Sequence, residues 1–381
     1  MSRVKFLHCA DLHLDAPFTS LGADSGKSAE RRQDLKDTFR NIIELAKSEK
    51  VDLLLISGDL YEHGYVLKST INFINKCFES IPATKVFIVP GNHDPITVSS
   101  YYRNYSWSNN VYILCDELPY VYLDDIDTYI YGVGFKSFSQ EKTIAYSLKP
   151  VRNDCINLML VHGTVDMNIG NSLYNPMSSE NLSTLNMDYI ALGHFHGMLS
   201  DIGGKGIIYN PGSPEPLGFD EGGSHGVFIG DLASTDSAEK NLELRFQKLN
   251  KRYYETTDIK VDGCGSTEEI ISRMDAELKC SDAPNCLLSV SLKGYLEESI
   301  KIDLLQIQNH FRDKLYYLKI KNETLVNYNI DQIVKEPGLK GLFVRKIMSR
   351  IEKTEDLCEK ELLNKALYYG LEALENGKLD L

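Results

Sequence analysis

The sequence predicts an α/β fold, on three observations. Short apolar runs recur through the first 250 residues, each closed by turn-forming polar residues, as strands covered on both faces read. Longer stretches with apolar residues at helical spacing lie between the early runs. The residues closing the runs are rich in Asp, His and Asn: DLHLD at 11–15, GDLYE at 58–62, GNHD at 91–94, VHGT at 161–164 and GHFHG at 193–197.

Taken in order, Val4–Cys9 is the first strand. Glu30–Ser48 is a helix because Leu35, Phe39, Ile42, Ile43 and Ala46 share one stripe. Leu53–Ser57 is a strand, Leu67–Phe78 a helix, and Lys85–Val89, Ile156–Val161 and Tyr189–Leu192 are further strands. After Gly197 the spacing suggests hairpins over Met198–Ile202, Gly206–Tyr209, Gly226–Leu232 and Asn241–Leu249. Near residue 250 the periodicity resets into a βαβαβ series: Tyr253–Val261, Thr267–Lys279, Cys286–Leu292, Leu304–Arg312 and Leu315–Ile320. Pro337-Gly338 breaks the chain. Two helices follow at about 340–352 and 356–375, with stripes of Leu342, Phe343, Ile347 and Ile351 and of Leu363, Leu367, Leu371 and Leu374. The expected organisation is therefore 1–250, 251–336 and 337–381.

At 381 residues and 43% hydrophobic, the chain can bury one large core and a smaller one. No apolar run approaches the ~20 residues of a membrane-spanning helix, so no membrane association is expected. The N-terminus runs straight into a strand without the charged, apolar and cleavage regions of a secretion signal. The eight cysteines form no CxxC pair and read as reduced thiols. Together these predict a cytoplasmic protein. The net charge of −13 argues by itself against nucleic-acid binding. The first 250 residues carry about 21 Lys and Arg against about 31 Asp and Glu. Divalent ions would reverse that balance locally, so modest affinity for DNA is expected, with a partner supplying much of the grip.

In open α/β sheets, ligands bind beyond the carboxyl ends of the strands. Five loops would therefore bring Asp11, His13, Asp59, Asn92, His162, His194 and His196 to one place. A lone His after a strand is more often a hydrogen-bonded core or loop residue, but five such clusters in succession argue for one site. Carboxylate, imidazole and amide donors suit Mn, Fe or Zn rather than thiolate chemistry. Seven donors can hold two ions roughly 3.5–4 Å apart, the arrangement that activates water and stabilises both oxygens of an in-line displacement. Asp59 is a natural bridge, since a carboxylate can offer one oxygen to each ion.

The ordered series D-x-H, G-D, G-N-H-D, a lone His and G-H-x-H resembles the calcineurin-like metallophosphoesterase superfamily. LHLDAPF at 12–18, VPGNHDP at 89–95 and GSPEPLGFDE at 212–221 are similar to the SbcD-type DNA repair exonucleases, especially the YhaO-like bacterial branch. The resemblance covers about residues 1–250. It implies a four-layer α/β/β/α metallophosphoesterase sandwich with a small α+β capping domain and C-terminal helices. It also implies one ion among Asp11, His13, Asp59 and His196, and another among Asp59, Asn92, His162 and His194, with Mn²⁺ the expected metal. His93 would face the substrate as proton donor or charge stabiliser, and Asp94 would fix its tautomer or else simply cap the loop. Some family members place a second substrate-facing His three residues after the bridging Asp; here that position is Glu62, followed by His63.

The resemblance further implies DNA as substrate and an SMC-like coiled-coil ATPase as partner, docked by the C-terminal helices. It allows a homodimer. The bland alternative is that the helical stripes pack on the capping domain. Tyr101 and Arg103 in YYRNYSW could contact bases or pack at a rim. GADSGKS at 22–28 has three residues, not four, between its glycines and reads as a polar loop. His8 is expected within a strand, His225 exposed in a Gly-rich turn, and His310 on an ordinary helix. Two other functions compete with a DNA nuclease: a phosphoesterase for a phosphoprotein, cyclic nucleotide or nucleotide-linked lipid, and a scaffold that has lost its chemistry. No ligand is missing, which argues against the scaffold.

Overall fold

The computed structural model describes residues 2–21, 26–143, 145–167, 174–234, 240–278, 280 and 282–376. GADSGKS lies partly outside these, at 22–25. Contacts divide the chain into two compact units, residues 1–254 and 255–381. The stretches expected as a capping domain and C-terminal helices fall almost wholly in the second.

In the first unit, strand β1 (Arg3–Cys9) leads through helix α1 (Lys27–Glu49) to β2 (Leu53–Ser57), and helix α2 (Lys68–Glu79) leads to β3 (Lys85–Val89). A short helix α3 (Tyr101–Asn104) precedes β4 (Val111–Ile113), β5 (Tyr120–Leu123), β6 (Thr128–Gly132) and β7 (Ile156–His162). Helix α4 (Ser179–Ser183), β8 (Tyr189–Gly193), β9 (Ile208–Tyr209), β10 (Gly226–Ser234) and β11 (Lys240–Lys248) complete it. One sheet runs β11-β10-β1-β2-β3-β4 and the other β5-β6-β7-β8-β9.

Alternation decides what lies between the sheets. Val4 and Phe6 of β1, Leu53 and Leu55 of β2, and Phe87 and Val89 of β3 pack against Ile130, Ile156, Leu158, Leu160, Tyr189 and Ala191 of the second sheet. Their neighbours Leu7, Leu54, Ile56 and Ile88 are equally buried and point to the opposite face. On that side lie α1 and α2, joined by Phe39 against Phe73 and Phe78. The outer face of the second sheet, with Met159, Val161, Ile190 and Leu192, packs against Leu182 and Leu185 around α4. Each such side chain contributes roughly 1.5–3 kcal/mol on burial. The result is the mixed, layered α/β architecture expected, with both sheets' parallel strands ending on one side.

The hairpin reading after Gly197 is corrected in part. Met198–Ile202 forms no strand, only one bridge between Leu199 and Asn210. The Gly-rich segment before Ile208 leaves β9 two residues long, paired parallel to β8 rather than in a hairpin. β10 and β11 do form an antiparallel ladder from Gly226–Lys248 to Ser234–Lys240.

The second unit has a three-stranded sheet in the order β12 (Tyr253–Lys260), β13 (Cys286–Leu296) and β14 (Tyr317–Val326), with helices α5 (Thr267–Glu277) and α6 (Leu304–Phe311) in the connections. Then come α7 (Ile330–Ile333), α8 (Leu339–Lys353) and α9 (Leu357–Asn376). Ile333, Val344, Leu367 and Leu371 bury one another, with Phe343 and Ile347 packed alongside. Part of each helical stripe therefore covers the other helix. Leu339, Leu342, Leu357 and Leu362 remain exposed.

Candidate metal centre

The loops after β1 and β2 lie side by side, because backbone pairing continues past the strands: Asp11 N–H donates to Gly58 O (3.1 Å), His13 N–H to Asp59 O (2.9 Å) and Leu14 N–H to Leu60 O (3.1 Å). Both chains must turn sharply here. Asp11, His13, Asp59 and His194 have φ of 53°, 44°, 51° and 108°, in the left-handed region. Such backbone costs of order 1–3 kcal/mol per residue and persists only where the surroundings enforce it. Gly58, at φ 92°, is needed twice over: a Cβ there would also collide with the His162 ring. A Cβ on Gly91 would likewise strike the Asp59 carboxylate.

These turns bring all seven sequence-predicted donors together. Asp11, His13 and His196 place ligand atoms within 4.8 Å of one another, as do Asp11, Asp59 and His162. Asp59 Oδ2 lies 3.7 Å from His13 Nε2 and 3.3 Å from His162 Nε2, between the two groups. Asn92 turns Oδ1 toward His162 Nε2 (3.0 Å) and His194 Nδ1 (3.1 Å). Asp11, His13, Asp59 and His162 are almost wholly buried.

The outer partners decide the tautomers. His13 Nδ1 faces Glu62 Oε1 (2.7 Å), His196 Nδ1 faces Glu221 Oε1 (2.6 Å), and His162 Nδ1 faces the carbonyl of Ser57 (2.8 Å). These partners only accept, so each Nδ1 carries the hydrogen and each neutral ring presents a lone pair at Nε2. Yet His13 Nε2 and His196 Nε2 stand 3.1 Å apart. In the neutral rings two lone pairs would face each other beside carboxylates, and a positive charge, either a proton or a metal ion, relieves that contact. The donor set and its arrangement thus fit divalent ions.

The electrostatics agree. Burial pushes the Asp59 carboxyl up, but His162, His13 and His93 overcome that and hold it well below the usual carboxylate range. Burial dominates at Asp11, whose carboxyl is raised despite His162 and His196. Burial alone would depress His196, but Glu221 and Asp11 carry its pKa up to about 9. His162 also reaches about 9 against its burial, through Asp59. His194 goes the other way, lowered to about 3 by burial and by the neighbouring His162, so positive charge is favoured beside the carboxylates rather than throughout the pocket.

His93 stands apart from the buried donors. Its side chain is 45% exposed, its N–H donates to Asp59 Oδ1 (2.8 Å), and its Nδ1 lies 3.0 Å from Glu62 Oε2. The hydrogen bond to Glu62 raises its pKa against partial burial. One carboxylate therefore holds both His13 and His93. Sequence reasoning saw Glu62 only as a departure from pattern.

The tautomer-fixing role expected for Asp94 is corrected. Its buried carboxylate accepts from the N–H groups of Gly91 (2.6 Å), Leu60 (2.7 Å) and Asp59 (3.2 Å) and from Tyr102 OH (2.6 Å). It clamps the β2 and β3 loops together, the alternative loop-capping role, while Glu62 holds His93. Burial and Asp59 raise its pKa to about 6. Arg103 is engaged by Glu117 (2.9 Å) and the carbonyl of Ile96 (3.3 Å). The Tyr101 carbonyl accepts from Trp107 Nε1 (3.1 Å), and its half-buried ring meets Tyr61 edge-on at 6.3 Å. Neither belongs to the cluster of donors.

Other residues had no local signal. Glu221 anchors His196 while accepting from Ser213 Oγ (2.9 Å) and Leu217 N–H (2.9 Å). His225 is buried rather than exposed, with Nδ1 2.8 Å from Ser213 O and Nε2 3.1 Å from Glu221 O. Arg31, fully buried, binds Glu215 (2.6 Å) and Asp34 (2.9 Å) and donates to Pro216 O (2.8 Å). The GSPEPLGFDE segment is thereby fastened to α1 at one end and to a metal-compatible His at the other. Glu221→Gln is expected to weaken metal binding about 10–100-fold, the usual effect of losing such an outer partner, as read by Mn²⁺ titration. His8 lies in β1 as expected, buried on Tyr189 OH (2.9 Å) and Leu192 O (3.2 Å).

Comparison with known proteins agrees with this geometry. The uncharacterized metallophosphoesterase YhaO of Bacillus subtilis is 23% identical over 366 residues, 90% of this chain and 87% of that one. The SbcD component of the nuclease SbcCD of Staphylococcus epidermidis is 21% identical over 223 residues, 51% of this chain and 57% of that one. The DNA double-strand break repair protein Mre11 of Archaeoglobus fulgidus is 26% identical over 325 residues, 74% of this chain and 69% of that one. The profile of the calcineurin-like phosphoesterases matches residues 4–198, half of the chain and all five donor loops entire. The chain belongs to the calcineurin-like phosphoesterase family, and is a metallophosphoesterase.

Proposed function

We propose that the chain is the nuclease component of a DNA repair enzyme, hydrolysing phosphodiester bonds at a two-ion centre. The observation that carries the reading is the convergence of seven donors around Asp59, with one exposed histidine beside them. The DNA substrate is supported by similarity to the SbcD and Mre11 proteins. Asp11, His13, Asp59 and His196 would hold one ion and Asp59, Asn92, His162 and His194 the other. Mn²⁺ suits this oxygen and nitrogen set. Bound ions supply Lewis-acid activation of water and neutralise phosphoryl charge.

The protein's own contribution is positioning. Glu62 and Glu221 fix the rings of His13 and His196 so that Nε2 points inward. Asp94 locks the turn that presents Asp59. With Nδ1 of His93 committed to Glu62, Nε2 is the ring atom left to protonate or hydrogen-bond the leaving oxygen. Purified chain with Mn²⁺ is expected to degrade linear DNA, to stop when chelator is added and to resume when Mn²⁺ is returned. Hydrolysis of a small phosphodiester with DNA untouched, alone and with an ATPase partner, would instead favour a non-DNA phosphoester. That second reading draws on the acidic charge of −13.

An SMC-like coiled-coil ATPase would dock on the apolar residues that the C-terminal helices leave outward, including Leu342 and Leu362. Glu at both positions is expected to weaken co-purification with that partner and to leave small-phosphodiester hydrolysis unchanged. Undiminished co-purification would remove the docking proposal.

A further inference from the structure

A second cluster of metal-compatible side chains, unrelated to the phosphoesterase donors, lies in the second unit. Glu255 is on β12, Cys286 opens β13, and Cys280 lies in the segment joining α5 to β13. β12 and β13 are neighbours in the three-stranded sheet, so residues far apart in sequence meet at one place. One carboxylate oxygen and both sulfurs fall within 4.8 Å of one another. Cys280 Sγ is 3.8 Å from Glu255 Oε2, and neither cysteine is in a disulfide. Cys286 is buried and Cys280 half-buried.

We propose that Glu255, Cys280 and Cys286 form a binding site for a thiophilic divalent cation, Zn²⁺ by its chemistry. A tetrahedral ion with Zn–S of ~2.3 Å and Zn–O of ~2.0–2.2 Å holds its donors roughly 3.3–3.8 Å apart. The cluster needs only small side-chain shifts to reach that spacing. Two thiolates with one carboxylate favour Zn²⁺ over the harder ions suited to the oxygen and nitrogen donors of the first unit. The two centres would therefore take different metals from the same solution. Three protein donors leave the fourth position to water or an added ligand. Binding displaces the thiol protons and ties the connection after α5 to the edge strand β12, so the ion stabilises the second unit by binding only its folded form.

The test uses the whole chain, reduced with a phosphine and freed of metal, and titrated with Co²⁺. The phosphoesterase donors include no cysteine, so a near-ultraviolet thiolate-to-cobalt band reports this site alone. The expected result is a band that saturates as Co²⁺ is added, with the two-ion centre taking up Co²⁺ alongside it, and that is bleached by Zn²⁺. It should vanish in Cys280→Ser and in Cys286→Ser, and shift to about tenfold or more weaker Co²⁺ binding in Glu255→Gln. Absence of the band in the unsubstituted chain would overturn the proposal, whatever the variants do. So would a band unchanged in Cys280→Ser, or a Cys280–Cys286 disulfide as the form that persists in the phosphine.

Discussion

Asp59→Asn is expected to abolish phosphodiester hydrolysis and to strip the centre of at least one ion. The substitution keeps the shape of the side chain and tolerates the left-handed φ of 51°, so the fold should survive. What it removes is a charged oxygen lying between His13 Nε2 (3.7 Å) and His162 Nε2 (3.3 Å). Losing a direct ligand should exceed the 10–100-fold loss in affinity typical of outer partners. Metal content by mass spectrometry of the dialysed variant checks it. Two ions retained at full affinity would mean that Asp59 is not shared between them.

His93→Ala should separate chemistry from metal binding. Its ring is the exposed one, and its Nδ1 is held by Glu62 rather than turned into the donor cluster. Loss of a positioned proton donor costs typically 10²–10⁴-fold in rate, and that drop is expected at unchanged metal content. Loss of metal together with activity would place His93 among the ligands. Glu62→Gln provides the control: it disturbs His13 as well as His93, so it should lower metal affinity and rate together.

The parts of this molecule legible in the sequence are those whose physics is local. β1, β2, β3, β7 and β8 are aliphatic runs buried on both faces, and their ends carry the polar residues that meet in space. β5 and β6 went unread because their Tyr-rich text, YVYL and TYIYG around the acidic turn DDID, lacks the aliphatic run of a central strand. Yet β6 is fully buried. The donors could be read because each follows its strand directly. Their supports could not: Glu221 reaches His196 across 25 residues, and Glu62 meets His13 and His93 only after the left-handed turn at Asp59. Asp94 shows the opposite hazard. Its place beside His93 in sequence suggested partnership, while the backbone turns its carboxylate toward three N–H groups and Tyr102 instead.

The most direct test of the two-ion centre is anomalous diffraction at the manganese edge from crystals of the chain grown with Mn²⁺. Two peaks roughly 3.5–4 Å apart are predicted, one on each side of the Asp59 carboxylate, the first among Asp11, His13 and His196 and the second among Asn92, His162 and His194. A single peak, or none within reach of Asp59, would contradict the account.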